Sequence, residues 1–80
     1  MRKFMSLFEK VFKEMGINMT SSRRALFQVL ENSKNHLTVD EILNRARKKD
    51  KTLGLATVYR TLNMLCELGL IEKHEFPNLE

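Results

Sequence analysis

Apolar residues recur at three- and four-residue steps in four stretches of this chain, and each stretch predicts an amphipathic helix. Phe4, Leu7, Phe8, Val11, Phe12 and Met15 form the first set. They predict a helix over residues 4–15 ended by Gly16, with the Glu9 to Lys13 pair on its exposed side. Thr20 or Ser21 caps a second helix with Leu26, Val29 and Leu30 inward and Phe27 flanking, fading at Asn32-Ser33-Lys34-Asn35. Thr38-Val39-Asp40-Glu41 is a capping box, in which the Thr38 hydroxyl accepts from the Glu41 amide while the Glu41 carboxylate accepts from the Thr38 amide. It starts a third helix with Ile42, Leu43 and Ala46 inward. The fourth helix places Val58, Leu62 and Leu65 on one stripe and Ala56, Tyr59, Arg60, Asn63 and Glu67 opposite. It ends near Leu68, because Gly69 supplies a left-handed cap and Leu70 packs back on the last turn.

Between the third and fourth helices, residues 50–55 read as a turn in which Gly54 supplies backbone freedom. Two helices joined in this way make a helix-turn-helix, whose second member enters a DNA groove while the first crosses the backbone. Residues 70–76 have no helical period and carry Ile71 and Phe76 among charges, which predicts a strand.

With 80 residues, the chain makes one small domain whose core is only just sufficient. No apolar run is long enough to span a bilayer. Met1-Arg2-Lys3 is followed by an amphipathic segment and not by the continuous apolar block of a signal peptide, so the chain reads as soluble and cytoplasmic. A lone Cys66 excludes an internal disulfide and a cysteine-only metal cage, and its place beside the apolar stripe favours a small, partly buried hydrophobe over a redox switch.

The formal charge of +4 is unevenly spread. Five cations fall between Arg45 and Lys51, directly before the fourth helix, whereas residues 67–80 hold four glutamates against one lysine. Such a run alone is usually a solvated face. Beside the fourth helix it gains meaning, because the outward face there carries a guanidinium, a phenol ring and a carboxamide, with methyls from Ala56 and Thr57. That mixture suits base edges and thymine methyls in a major groove. Arg60 is the first candidate, forking onto guanine O6 and N7 or holding a phosphate. Tyr59 lies at the border of the apolar stripe, where it either lays its ring on a base or caps the core. Thr57 and Asn63 are weaker candidates of the same kind. Nothing supports catalysis: no histidine is spaced to activate a nucleophile, and no glycine-rich phosphate loop or pair of acids framed by apolar residues is present.

The stretch Gly54-Leu55-Ala56-Thr57-Val58-Tyr59-Arg60-Thr61-Leu62, followed by Gly69-Leu70-Ile71, closely resembles the recognition helix of the ferric uptake regulator superfamily of iron, zinc, manganese and peroxide sensors. Thr20-Ser21-Ser22-Arg23 and the run from Asn35 to Ile42 match two further landmarks at fitting distances. The resemblance covers nearly all of residues 4–76 and reaches only the N-terminal half of such proteins. It implies a mainly α fold, a winged helix-turn-helix with four helices, in which the strand over residues 70–76 is the first arm of a C-terminal β wing. That wing is incomplete, since Pro77-Asn78-Leu79-Glu80 begins a turn with no returning strand.

The chain therefore reads as a fragment over residues 1–80 that lacks the dimerisation and metal-sensing domain, with Leu79-Glu80 resembling an appended remnant. The resemblance further implies a repressor that acts as a homodimer on an AT-rich pseudo-palindromic duplex, with Fe, Zn or Mn setting its state. It implies that Arg23 touches the DNA backbone and that His36 joins a metal site completed by ligands outside this chain. Asn18 and Met19 stand where the family often has a basic residue for the minor groove. For Arg24 and the cluster from Arg45 to Lys51, a solvated face and a specific contact weigh equally. Two other classes compete: a winged-helix protein-interaction module, and a metalloenzyme fragment using His36 and His74.

Overall fold

Local signals end the helices close to where the sequence puts them. The computed structural model describes residues 7–32 and 37–79, and holds four helices in order: α1 (Leu7–Glu14), α2 (Ser21–Asn32), α3 (Val39–Ala46) and α4 (Leu55–Glu67). Thr20 caps α2, its hydroxyl accepting from the Arg23 amide at 3.2 Å. The capping box of α3 is complete: Glu41 N donates to Thr38 Oγ1 at 3.1 Å and Thr38 N donates to Glu41 Oε1 at 3.0 Å. At the end of α4, Gly69 has φ of 79°. The Gly69 amide then reaches Cys66 O at 3.0 Å and the Leu70 amide reaches Leu65 O at 2.9 Å, so two terminal carbonyls are satisfied.

Nothing lies within 4 Å of a Cβ built at Gly69, which separates backbone strain from steric clash. Gly69→Ala is expected to cost roughly 1 to 2 kcal/mol, the penalty of a left-handed residue bearing a Cβ. Urea unfolding measures it, and an unchanged midpoint would show that this turn does not set the end of α4.

Packing follows the apolar stripes. α2 packs on α1 and α3, and α3 packs on α4. Leu26, Ile42, Val58, Leu62 and Leu65 have no exposure. Phe27 is no flanking residue. Its ring lies 5.2 Å from Phe8 and 5.1 Å edge-on from Phe12, joining α1 to the core. Leu7 and Met15, expected in the first stripe, stay exposed, because Leu7 lies at the margin of the stripe and Met15 falls past the last helical turn. Phe4 lies outside the described residues.

Two expectations are corrected. Gly54 has φ −116° and ψ 167°, extended backbone open to any residue, so the backbone freedom expected of it is not drawn on and it serves as the N-cap of α4. Residues 70–76 form no strand, and no strand occurs among the described residues. They make a turn and a 3-10 helix, Lys73–Glu75. Period-two alternation there would join Ile71 to Lys73 and Glu75, leaving neither face apolar. Local bonds serve the backbone in place of a ladder: Glu75 N to Glu72 O at 3.0 Å and Phe76 N to Lys73 O at 3.1 Å. Ile71, Phe76 and Leu79 then fold onto the core, and Leu79 is 1% exposed.

Candidate nucleic-acid interface

Burial of Val58, Leu62 and Leu65 fixes the rotation of α4 about its axis, and Thr61 joins them at 3% exposure. Ala56, Arg60 and Glu67 are consequently exposed, while Thr57, Tyr59 and Asn63 are half-buried at the flanks. The outer face looks onto a groove shared with the start of α2. Asn18, Thr20, Ser22 and Arg23 form one wall, and Thr57, Arg60, Thr61 and Met64 the other. Two predicted residues far apart in sequence, Arg23 and Arg60, thus meet in one groove.

Each arginine is oriented by a neighbour. Arg60 Nη2 lies 3.4 Å from Thr57 Oγ1, one turn back on the same face. Arg23 Nη1 donates to Asn18 O at 2.8 Å and its Cζ sits 5.4 Å from the centroid of the Phe12 ring. A cation over an aromatic face is held by the ring quadrupole. A guanidinium has five donors, and the Asn18 bond uses one, so Arg23 can be structural and still address a phosphate. Tyr59 packs against the core, and its hydroxyl donates to Asn78 O at 3.2 Å. The core-capping role weighed in the sequence is therefore real for this ring, which keeps a half-exposed flank.

Asp50 reads in the sequence only as part of a turn, yet it ties that turn to α2. Its Oδ1 accepts from Thr52 Oγ1 at 2.6 Å and from the Thr52 amide at 3.0 Å. Its Oδ2 accepts from Ser22 Oγ at 2.7 Å and from Ser21 Oγ at 3.5 Å. The Thr52 hydroxyl first, then that of Ser22, hold the carboxyl below its ordinary range. An Asp-x-Thr sequence announces a turn, but nothing local announces partners on another helix.

The basic cluster divides. Arg45, Lys48 and Lys49 line a separate groove with Gln28, Val29 and Asn32, while Arg47 donates to Lys51 O at 3.4 Å. Arg24 pairs with Glu9 at 3.6 Å, a tie between α1 and α2 whose arginine is exposed and whose glutamate is half-buried. His36 lies outside the described residues. His74 Nδ1 sits 3.2 Å from Glu72 Oε1 on the surface, and no group of three His, Cys, Asp or Glu side chains suited to a metal occurs among the described residues. Burial pushes the Cys66 thiol up, which suits a packing residue and not a reactive thiolate. Among the described residues, no helix is long and apolar enough to cross a membrane.

Comparison with known proteins gives a family match over most of the chain. Residues 14–80 match the family model described as the ferric uptake regulator family. The chain is 37% identical over 68 residues to the ferric uptake regulation protein of Rhizobium leguminosarum bv. viciae, covering 85% of this chain and 48% of that one. It is 35% identical over 69 residues to the protein of the same name from Brucella abortus biovar 1, covering 86% and 49%. With the Bacillus subtilis protein of that name, identity is 36% over 69 residues, covering 85% and 46%. The chain spans about half the length of the curated relatives it matches.

Proposed function

The chain belongs to the ferric uptake regulator family, and on that premise we propose that it is the sequence-specific DNA-reading part of a metal- or peroxide-responsive transcriptional repressor in the cytoplasm. The observation that carries this reading is the groove in which Arg23 of α2 and Arg60 of α4 stand together, opposite a helix face with no exposure.

In this reading α4 enters the major groove of an AT-rich, pseudo-palindromic operator. Arg60 forks onto a guanine edge, Ala56 and Thr57 offer methyls to thymine, and Asn63 contacts a further edge. Tyr59 presents the flank of a ring already immobilised through Asn78, so little rotamer freedom is lost on contact. Arg23 holds a phosphate and fixes register. Homodimerisation and response to metal or peroxide rest on family membership, with His36 the one residue of this chain assigned to a metal site.

Salt titration tests the reading. Each phosphate neutralised contributes about −0.9 to the slope of log affinity against log salt concentration. With Arg23 engaged on a phosphate, anisotropy of a labelled duplex is expected to give a slope of about −0.9 or steeper. A slope near zero would instead favour a protein-interaction module with a mainly apolar partner surface.

A further inference from the structure

Asp50 lies in the turn between α3 and α4, yet it is bound to the start of α2. Its two carboxylate oxygens divide the work. Oδ1 closes the turn on Thr52, and Oδ2 reaches Ser22, 28 residues away, at 2.7 Å. Three residues further on, Leu53 is 2% exposed and plugs the core, so the segment leading into α4 is fixed at two points. Ser22 is followed by Arg23, and both line the groove that Arg60 and Thr57 close from the other side. The Asp50 to Ser22 bond therefore spans the two elements whose separation decides whether one duplex can meet Arg23 and Arg60 at once.

We propose that Asp50 is a positioning residue for DNA reading: a clamp that sets the placement of α4 against the start of α2 and thereby the spacing of Arg23 and Arg60. The inference rests on the DNA-reading assignment above. An acidic side chain beside a surface that meets phosphates works against affinity by plain electrostatics. Its presence there is accounted for by geometry, since the carboxylate gathers three hydroxyls and an amide while facing the positive end of α2.

That opposition gives the test its sign. Asp50→Ala removes both the clamp and the negative charge. Asp50→Asn removes the charge but keeps the bonds, because its amide oxygen accepts from Thr52 and its NH2 donates to the Ser22 hydroxyl, which accepts as well as donates. Ser22→Ala removes the link to Ser22 and leaves the charge.

Each variant is titrated with a duplex selected by the parent from a randomised pool and with a scrambled duplex of equal length. The ratio of the two affinities should fall about tenfold in Asp50→Ala and in Ser22→Ala, the scale of one hydrogen bond to a charged group, and recover in Asp50→Asn. Uniformly tighter binding by Asp50→Ala, with the ratio unchanged, would overturn the clamp and leave only a lost charge.

A DNA-free measurement keeps this apart from the functional reading. Residual dipolar couplings of α2 and α4 should fit one rigid body in the parent and should cease to do so in Asp50→Ala while each helix persists. If they still fit the parent arrangement, the clamp is refuted whatever the DNA result. If the parent selects no duplex while the couplings change, the DNA-reading assignment fails and the clamp falls with it as a device for reading DNA.

Discussion

Arg60→Ala is expected to erase preference for a selected duplex over a scrambled one while unfolding at the same denaturant concentration as the parent. Arg60 is exposed and its side-chain bond is a 3.4 Å contact with Thr57, so truncation leaves no cavity and strands no buried partner. On the DNA side, loss of one bidentate base contact costs about 1 to 3 kcal/mol, where 1.4 kcal/mol is a factor of ten. Arg60→Lys sharpens the test because it keeps the charge and loses the planar fork. It should retain most of the salt dependence and little of the selectivity. If Arg60→Ala bound and discriminated as the parent does, the reading role assigned to this face of α4 would be wrong.

How far the sequence revealed this arrangement depended on the range of each interaction. The Thr38 to Glu41 box and the Gly69 cap close within a few residues, so their chemistry is visible in the order of the side chains. The inward stripe of α4 was equally legible, since one helical period decides which residues are buried together. The outward face follows by exclusion.

Range also explains the failures. Asp50 reads as a turn residue, and its tie to Ser22 exists only once α2 and the turn are brought together. Tyr59 at the margin of the stripe could not be assigned from α4 alone, because its partner Asn78 arrives from 19 residues downstream. Residues 70–76 read as a strand for want of helical period. An extended segment needs a partner ladder, and the backbone there adopts a 3-10 helix with bonds of its own. Gly54 illustrates the limit of reading from residue type, since glycine permits left-handed backbone without requiring it.

Leu62→Ala should fail differently from Arg60→Ala, although the two residues are neighbours on one helix. Leu62 has no exposure and lies on the face of α4 with Val58 and Leu65, equally buried. Removing a fully buried leucine side chain commonly costs about 2 to 5 kcal/mol, part in lost burial and part in the cavity left behind. An 80-residue domain has roughly 4 to 12 kcal/mol in total at ordinary stability per residue. The midpoint of thermal unfolding should therefore fall by about 10 °C or more, at about 4 to 8 °C per kcal/mol for a domain of this size. DNA affinity would decline for selected and scrambled duplexes together, in proportion to the folded fraction, and addition of a stabilising osmolyte should restore both. Arg60→Ala should gain nothing from the osmolyte. An unaltered melting curve for Leu62→Ala would mean that α4 does not present this face to the core, and the outward placement of Arg60, which follows from the same rotation about the helix axis, would lose its basis.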